Sequence, residues 1–355
     1  MNILVIGKFY PEAFARHIAE TLEDIGHTTI KYDIGPKGYT GNSIFMKRMN
    51  QVKGVLYSNL TSLKYFQIVD NSSFKKILAR QKVDLTIVTH DFLFPSQVKY
   101  LKELSKAPIV LWHPDAISNL GKYYFLNAKY DFLFFKDPYV VKSFKKDLNL
   151  NVFYLPECCN PKKHYKVALS KEDEKKFSCD ITTAGNLYPN REAFFRNLKK
   201  YNVKIWGSPP PNWLNTNDIN QMIMGELVLN ENKSKAFQLA KIVMNNLHPA
   251  EIWGVNARAF EIPACGGFQL INWRPGLDQL LKDGEEVVSF KDKDDLFEKI
   301  DYYLKNDDER IRIINKGYQK VNDQHNYKMR LELLINSVFN NAKGFMQPEI
   351  KYHNL

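Results

Sequence analysis

Cysteine pairing is missing from this 355-residue chain: Cys158, Cys159, Cys179 and Cys265 show neither C-x-x-C spacing nor a paired Cys/His cluster. That excludes a disulfide framework and a cysteine-based zinc site, and the four read as reduced thiols. Long apolar runs are also lacking. None reaches the ~18 residues needed to span a bilayer, and Met1-Asn-Ile-Leu-Val-Ile-Gly7 is a strand of ordinary length with no cleavable signal pattern. The expectation is a cytoplasmic protein without a transmembrane segment. Acidic excess is absent too, since 50 Lys and Arg face 39 Asp and Glu, for a net charge of +11. With a pI near 9.2, the surface attracts anions: nucleic acid, an anionic membrane touched peripherally, or a nucleoside-diphosphate substrate. The lysines are scattered in pairs such as Lys75-Lys76, Lys145-Lys146 and Lys199-Lys200, so no single tract selects among these partners.

Several motifs are missing as well. No G-x-G-x-x-G follows either leading strand, which argues against a dinucleotide clamp, and Gly7-Lys8-Phe9-Tyr10 offers one glycine only. No G-x-x-x-x-G-K-[ST] loop and no G-x-S-x-G elbow occur, which disfavours a P-loop ATPase and an α/β-hydrolase. No repeat of 20 to 50 residues is evident.

What is present is a packed α/β rhythm. Hydrophobic residues at 44% exclude disorder as the default, and the length fits two cores better than one. Ile3 to Ile6 predicts a strand, Ala13 to Ile25 a helix and Thr28 to Asp33 a second strand, a βαβ unit. Residues 36–66 are less patterned, with a helix expected over 49–57. Alternation returns as helix 74–81, strand 84–89, helix 96–105, strand 108–112, helix 119–128 and strand 131–135. Prolines at 156 and 161 and the charged run Ser170 to Lys176 predict a linker. Beyond it come strands at 179–183, 203–206, 241–245, 267–271 and 287–290, with helices at 190–200, 232–240, 254–265, 276–282, 293–305 and 307–321. The fold class expected is therefore α/β, two facing Rossmann-like doubly wound domains with a cleft between them. The boundaries expected are 1–160 for the first domain, 161–176 for the linker, 177–325 for the second domain and 326–355 for helices packing back on the first.

Open parallel sheets bind ligands beyond the carboxyl ends of their strands. The residues found there are Gly7-Lys8, His90-Asp91, His113-Pro114-Asp115, Gly185-Asn186, Gly207 and Asn246 to Pro249. The segment Asn256-x-Arg258-x-Phe260-Glu261-Ile262-Pro263-Ala264-Cys265-Gly266-Gly267 puts a carboxylate on a predicted helix that follows such a strand end. A carboxylate there can grip two vicinal ribose hydroxyls while backbone N–H groups at the helix start face a diphosphate. Gly266 and Gly267 let the helix stop and the next strand turn in closely.

That segment resembles the signature of GT-B glycosyltransferases of the group-1 type, and in its N-x-R-x-F-E-x-x-A-C-G-G form the family related to the spore maturation protein CgeB. Ala184 to Arg191, Ala240 to Asn246 and Asp283 to Val288 support the resemblance in order. It implies a metal-independent glycosyltransferase that takes a nucleotide-diphosphate sugar as donor substrate and needs no cofactor, with retention of configuration. The nucleotide-sugar-binding set it implies is Glu261, Asn256, Arg258, Arg191, Gly185, Asn186, Gly7 and His248. His113 and Asp115 are the catalytic candidates, His113 aimed at the donor sugar and Asp115 for acid/base work if the enzyme inverts. Acceptor binding falls to the first domain, the acceptor being protein, glycan, lipid or modified nucleic acid. A structural ion pair is the alternative for Arg258, and for His90, where the match is looser, a satisfied histidine at a domain rim is the favoured reading. One departure stands out: many retaining members carry a second Glu eight residues before the helix Glu, where this chain has Trp253 with Glu251 nearby. A sugar-nucleotide epimerase and a non-catalytic nucleotide-sugar or nucleic-acid-binding protein are the competing functions.

Overall fold

In the computed structural model the described residues are 1–34, 73–120 and 123–340. The helix expected over 49–57 lies outside them. The described residues divide into two compact units: unit 1 is drawn from 1–135, 144–153 and 335–340, and unit 2 from 136–143 and 154–334. Among the described residues no helix is long and apolar enough to cross a membrane.

Unit 1 is built on β1 (Asn2–Gly7), β2 (Thr28–Asp33), β3 (Leu85–Thr89), β4 (Ile109–His113), β5 (Phe132–Phe135) and β6 (Val152–Tyr154), in the order β2-β1-β3-β4-β5-β6. β1 pairs in parallel with β2 and β3, with Ile3 opposite Leu85 and Ile6 opposite Val88. Ile3, Leu4, Val5 and Ile6 are all fully buried, as a parallel sheet covered on both faces requires; hence the run is continuous and not alternating. Helices α1 (Phe14–Asp24) and α2 (Pro95–Ser105) connect the strands.

Helix α3 (Pro138–Leu148) and strand β6 escape the sequence reading. Lys142, Lys145 and Lys146 mask an apolar stripe as narrow as Val140 and Val141. The helix expected over 119–128 is instead two single 3-10 turns, Ile117–Asn119 and Tyr124–Leu126.

Unit 2 carries β7 (Cys179–Ala184), β8 (Val203–Trp206), β9 (Ala240–Asn245), β10 (Gln269–Asn272) and β11 (Val288–Phe290), in the order β11-β10-β9-β7-β8. Pairing is parallel throughout. Its helices are α4 (Lys171–Phe177), α5 (Pro189–Phe195), α6 (Glu231–Leu239), α7 (Arg258–Ala264), α8 (Lys293–Tyr303) and α9 (Asp307–Gln324), followed by α10 (Tyr327–Phe339). The stretch 161–176, read as a linker, folds within unit 2, with α4 capped reciprocally by Ser170 and Asp173. Strand order reverses at β7, whose neighbours are β8 and β9, so the ends of β7 and β9 mark the point where such sheets bind ligands.

Helix α7 is shorter than the expected 254–265. The Asp137 carboxylate takes the N–H groups of Ile252 (3.0 Å) and Trp253 (3.1 Å), and a side chain at Gly254 would meet the Lys136 carbonyl. These contacts hold the chain non-helical until Ala257. At the other end Gly266 (φ +80°) donates to the Pro263 carbonyl and Gly267 to that of Ile262, a Schellman motif that stops the helix and feeds β10. Residues 276–282 form turns instead of a helix, because the Gly276 N–H is drawn to the Trp253 carbonyl at 2.8 Å.

Candidate functional site

β7 delivers the chain to Gly185, which holds φ +130°. A side chain there would run into Arg258 Nη2 and lie 3.0 Å from Arg191 Nη1. Gly207, just past β8, packs so closely that its own side chain would meet the Gly185 carbonyl at 2.5 Å. Glycine at 185 is demanded by backbone conformation, and any side chain there would also have to displace the guanidinium of Arg258.

Arg191, the third residue of α5, is only 5% exposed. Its Nε donates to Asn246 Oδ1 (3.2 Å), Nη1 to the Asn186 carbonyl (2.9 Å) and Nη2 to Thr183 Oγ1 (2.6 Å). The plane lies over the Phe195 ring, 5.8 Å from its centroid. Every one of these acceptors is neutral. Burial, and then repulsion from Arg258, push the Arg191 guanidinium down to about 9. Arg258 opens α7 and is half-buried. Among the described residues neither guanidinium has an ion-pair partner. Two like charges meeting without a counterion make a receptor for a polyanion.

Glu261 follows Arg258 by three residues on α7, which sets both on one face. Ala259, Phe260, Ile262, Pro263 and Ala264 are buried, so Arg258 and Glu261 form the accessible face of this helix. The two Glu261 oxygens face different partners: Oε2 lies 3.4 Å from Lys233 Nζ and Oε1 lies 3.7 Å from His164 Nε2.

Asn256 is committed to a reciprocal amide pair with Asn245, at 3.0 and 3.1 Å, and Asn245 also reaches Gln269. Trp253 is buried, edge-on to Tyr139 at 5.1 Å, with Lys142 over its ring. It therefore serves as a packing residue. Glu251 is engaged by Lys136 at 2.7 Å, both buried. His248 is exposed, and its Nδ1 accepts from the Ala250 N–H at 3.1 Å, closing a turn.

The remaining expected residues lie in unit 1. Gly7 ends β1 tucked against Thr89 and 2.6 Å, as the site of an added side chain, from the Ala15 methyl; its smallness serves packing. His113 is 2% exposed, and its Nδ1 donates to the Asp115 carbonyl at 3.1 Å. The Asp115 carboxylate lies 3.4 Å from His90 Nε2, and the two histidine rings meet edge-on at 5.7 Å. His90 sits at φ +64°. Burial pushes the neighbouring Asp91 carboxyl up to about 6.

The structure thus joins Gly185, Asn186, Arg191 and Arg258 in one contact group, adds Glu261 on the same helix face, and leaves His248 at the surface. Sequence reasoning missed Lys233, His164 and Thr183. No local pattern marks them: Lys233 is one lysine among many on an ordinary helix, and His164 falls in a stretch that reads as a linker.

Two Rossmann-like α/β units in one chain, each on a parallel sheet, define the GT-B fold class of glycosyltransferases. Within that class, residues 191–336, from Arg191 through Arg258 and Glu261 into α10, match the model of a family described as glycosyl transferase-like. Three similar solved structures share TM-scores of 0.63. They are a glycosyltransferase from Rickettsia africae (12% identity; 96% of this chain, 99% of that one), HepE of Anabaena in complex with UDP (10%; 96% and 100%), and a sucrose-phosphate synthase from Thermosynechococcus elongatus (11%; 96% and 100%). No curated protein matches the chain in sequence.

Proposed function

We propose that the chain is a glycosyltransferase moving a sugar from a nucleoside-diphosphate sugar, UDP- or GDP-linked, to an acceptor. One observation carries the reading: Arg191 and Arg258 converge over Gly185 without a carboxylate partner among the described residues, one helical turn from the Glu261 carboxylate. A nucleoside diphosphate presents the matching pair of groups, a diphosphate beside a ribose diol. The guanidinium groups take phosphate oxygens, and Glu261 accepts from the 2′ and 3′ hydroxyls.

Chemistry follows from where charge moves. As the bond between the sugar's anomeric carbon and the diphosphate oxygen breaks, negative charge develops on the leaving nucleoside diphosphate. Arg191, already fixed by Thr183, Asn186 and Asn246, meets that charge without reorganising. Guanidinium groups thereby supply the stabilisation in a metal-independent transfer. In unit 1 the carbonyl of Asp115 can only accept, so His113 carries its proton on Nδ1. Retention of configuration and placement beside CgeB rest on the Asn256 to Gly267 segment. HepE, solved with UDP and with UDP-glucose, supports a uridine donor.

The test is a donor screen: nucleotide release and calorimetric binding with UDP-, GDP- and dTDP-sugars, for wild type, Arg258→Met and Glu261→Ala. One nucleotide series should bind, and each variant should weaken it about tenfold or more. Absence of binding to every nucleotide sugar, or unchanged binding by both variants, overturns the reading. Binding with no turnover on any acceptor points to a non-catalytic binding protein, and conversion of the sugar without an acceptor to an epimerase.

A further inference from the structure

We infer that Lys233 and His164 are positioning residues that aim the Glu261 carboxylate, and through it determine discrimination between ribose and deoxyribose nucleotides. The inference rests on the donor-binding role of Glu261 proposed above and names what sets its selectivity.

A glutamate has three side-chain torsions, and two vicinal hydroxyls are recognised together only if the carboxylate plane is held in one orientation. At Glu261 each oxygen faces a nitrogen from a different part of unit 2. Lys233 comes from the first turn of α6, which starts after Asn230 at φ +50°. It is 8% exposed, although a lysine on a helix ordinarily extends its ammonium to solvent. Its Nζ is instead turned to Glu261 Oε2 at 3.4 Å.

His164 is 1% exposed at the end of a tight turn that begins at Asn160. The Asn160 N–H donates to His164 Nδ1 at 3.1 Å. A backbone N–H can only donate, so Nδ1 carries the lone pair and the ring proton resides on Nε2, aimed at Glu261 Oε1 from 3.7 Å. At 3.4 Å the Lys233 contact is a long hydrogen bond, and at 3.7 Å the His164 contact lies beyond hydrogen-bond reach, so Lys233 directs Oε2 while the His164 ring bounds the space behind Oε1, as outer residues orient the ligands of a metal. Glu261 retains 17% side-chain exposure, enough for a ligand to reach it.

The experiment measures binding of UDP against 2′-deoxy-UDP, and GDP against 2′-deoxy-GDP, by calorimetry on the full chain. The proteins compared are wild type, Lys233→Met, Lys233→Arg, Glu261→Gln and the double variant Lys233→Met/Glu261→Gln, with thermal melting run on each. Wild type should prefer the ribonucleotide about tenfold or more, the worth of hydrogen bonds to a charged acceptor. Lys233→Met should bring that preference to within about threefold of unity by weakening the ribonucleotide alone, and Lys233→Arg should restore most of it. The double variant should discriminate no worse than Glu261→Gln. Lys233→Met that keeps the wild-type ratio, or weakens ribo- and deoxyribonucleotide equally, overturns the inference. If wild type discriminates and only the lysine variants fail to behave, the donor reading stands and the positioning role falls. If wild type binds no nucleotide, both fall together.

Discussion

The guanidinium of Arg258 occupies the space that a side chain at residue 185 would fill. The two residues belong to different connections of unit 2, one after β7 and one after β9, and their contact seats the Arg258 guanidinium on the glycine turn that follows β7. Gly185→Ala should displace Arg258 and strain a backbone at φ +130°, costing about 1–3 kcal/mol of stability and most of the nucleotide affinity. Chemical denaturation and calorimetry check this together. An alanine variant with unchanged nucleotide affinity would detach the glycine from the site.

Arg191 and Arg258 should respond in opposite ways to removal. Arg258→Met relieves like-charge repulsion and strips no hydrogen bond, so the nucleotide-free protein should be as stable as wild type or more so by about 0.5–1 kcal/mol, while binding is lost. Arg191→Met leaves Thr183, Asn246 and the Asn186 carbonyl without their donor and should destabilise by about 1–3 kcal/mol. Melting curves without nucleotide separate the two, and a destabilised Arg258→Met would show that Arg258 holds the fold.

Acid should weaken the protein through His325. Arg330 Nη2 donates to His325 Nδ1 (2.8 Å) and His325 Nε2 donates to the Leu280 carbonyl (2.8 Å), a geometry open only to the neutral ring. Burial, and then Arg330, hold the imidazole down to about 3. Unfolded histidine titrates near the usual 6.5, so between the two values the unfolded chain binds the extra proton. Stability is present above pH about 6.5 and falls as pH drops toward 3, by about 2–3 kcal/mol between pH 6.5 and 4. Denaturation across that range should be measurably less steep for His325→Gln.

Asp91 should act with the opposite sign. Burial raises its folded value to about 6, with the N–H groups of Tyr124 and Phe125 offsetting part of the shift. The folded chain then binds the extra proton between pH about 4 and 6, and stability is lost as pH rises through that window. Allowing for its partial exposure, Asp91→Asn should be more stable than wild type at pH 7 by about 1–2 kcal/mol and equal to it near pH 4. A constant difference at both pH values would rule out titration of Asp91 as the cause.

Local sequence determined most of the strands and many of the helices, because fully buried parallel strands read as short apolar runs, but it missed α3 and β6 and expected helices where 117–126 and 276–282 form turns. It also determined which residues follow strand ends, and the segment from Asn256 to Gly267, whose helix stop at Gly266 is written in the residue type. Tertiary structure alone decided that Arg258 lies over Gly185, that Arg191 is buried among neutral acceptors, that Asn256 is tied to Asn245, and that Lys233 and His164 face Glu261. Each of these depends on how separate elements of unit 2 pack, whether the residues are near in the chain, as Asn245 and Asn256 are, or far apart, as Gly185 and Arg258 are. Periodicity reports which way a residue faces within its own element, and only the packing of elements decides what stands opposite it.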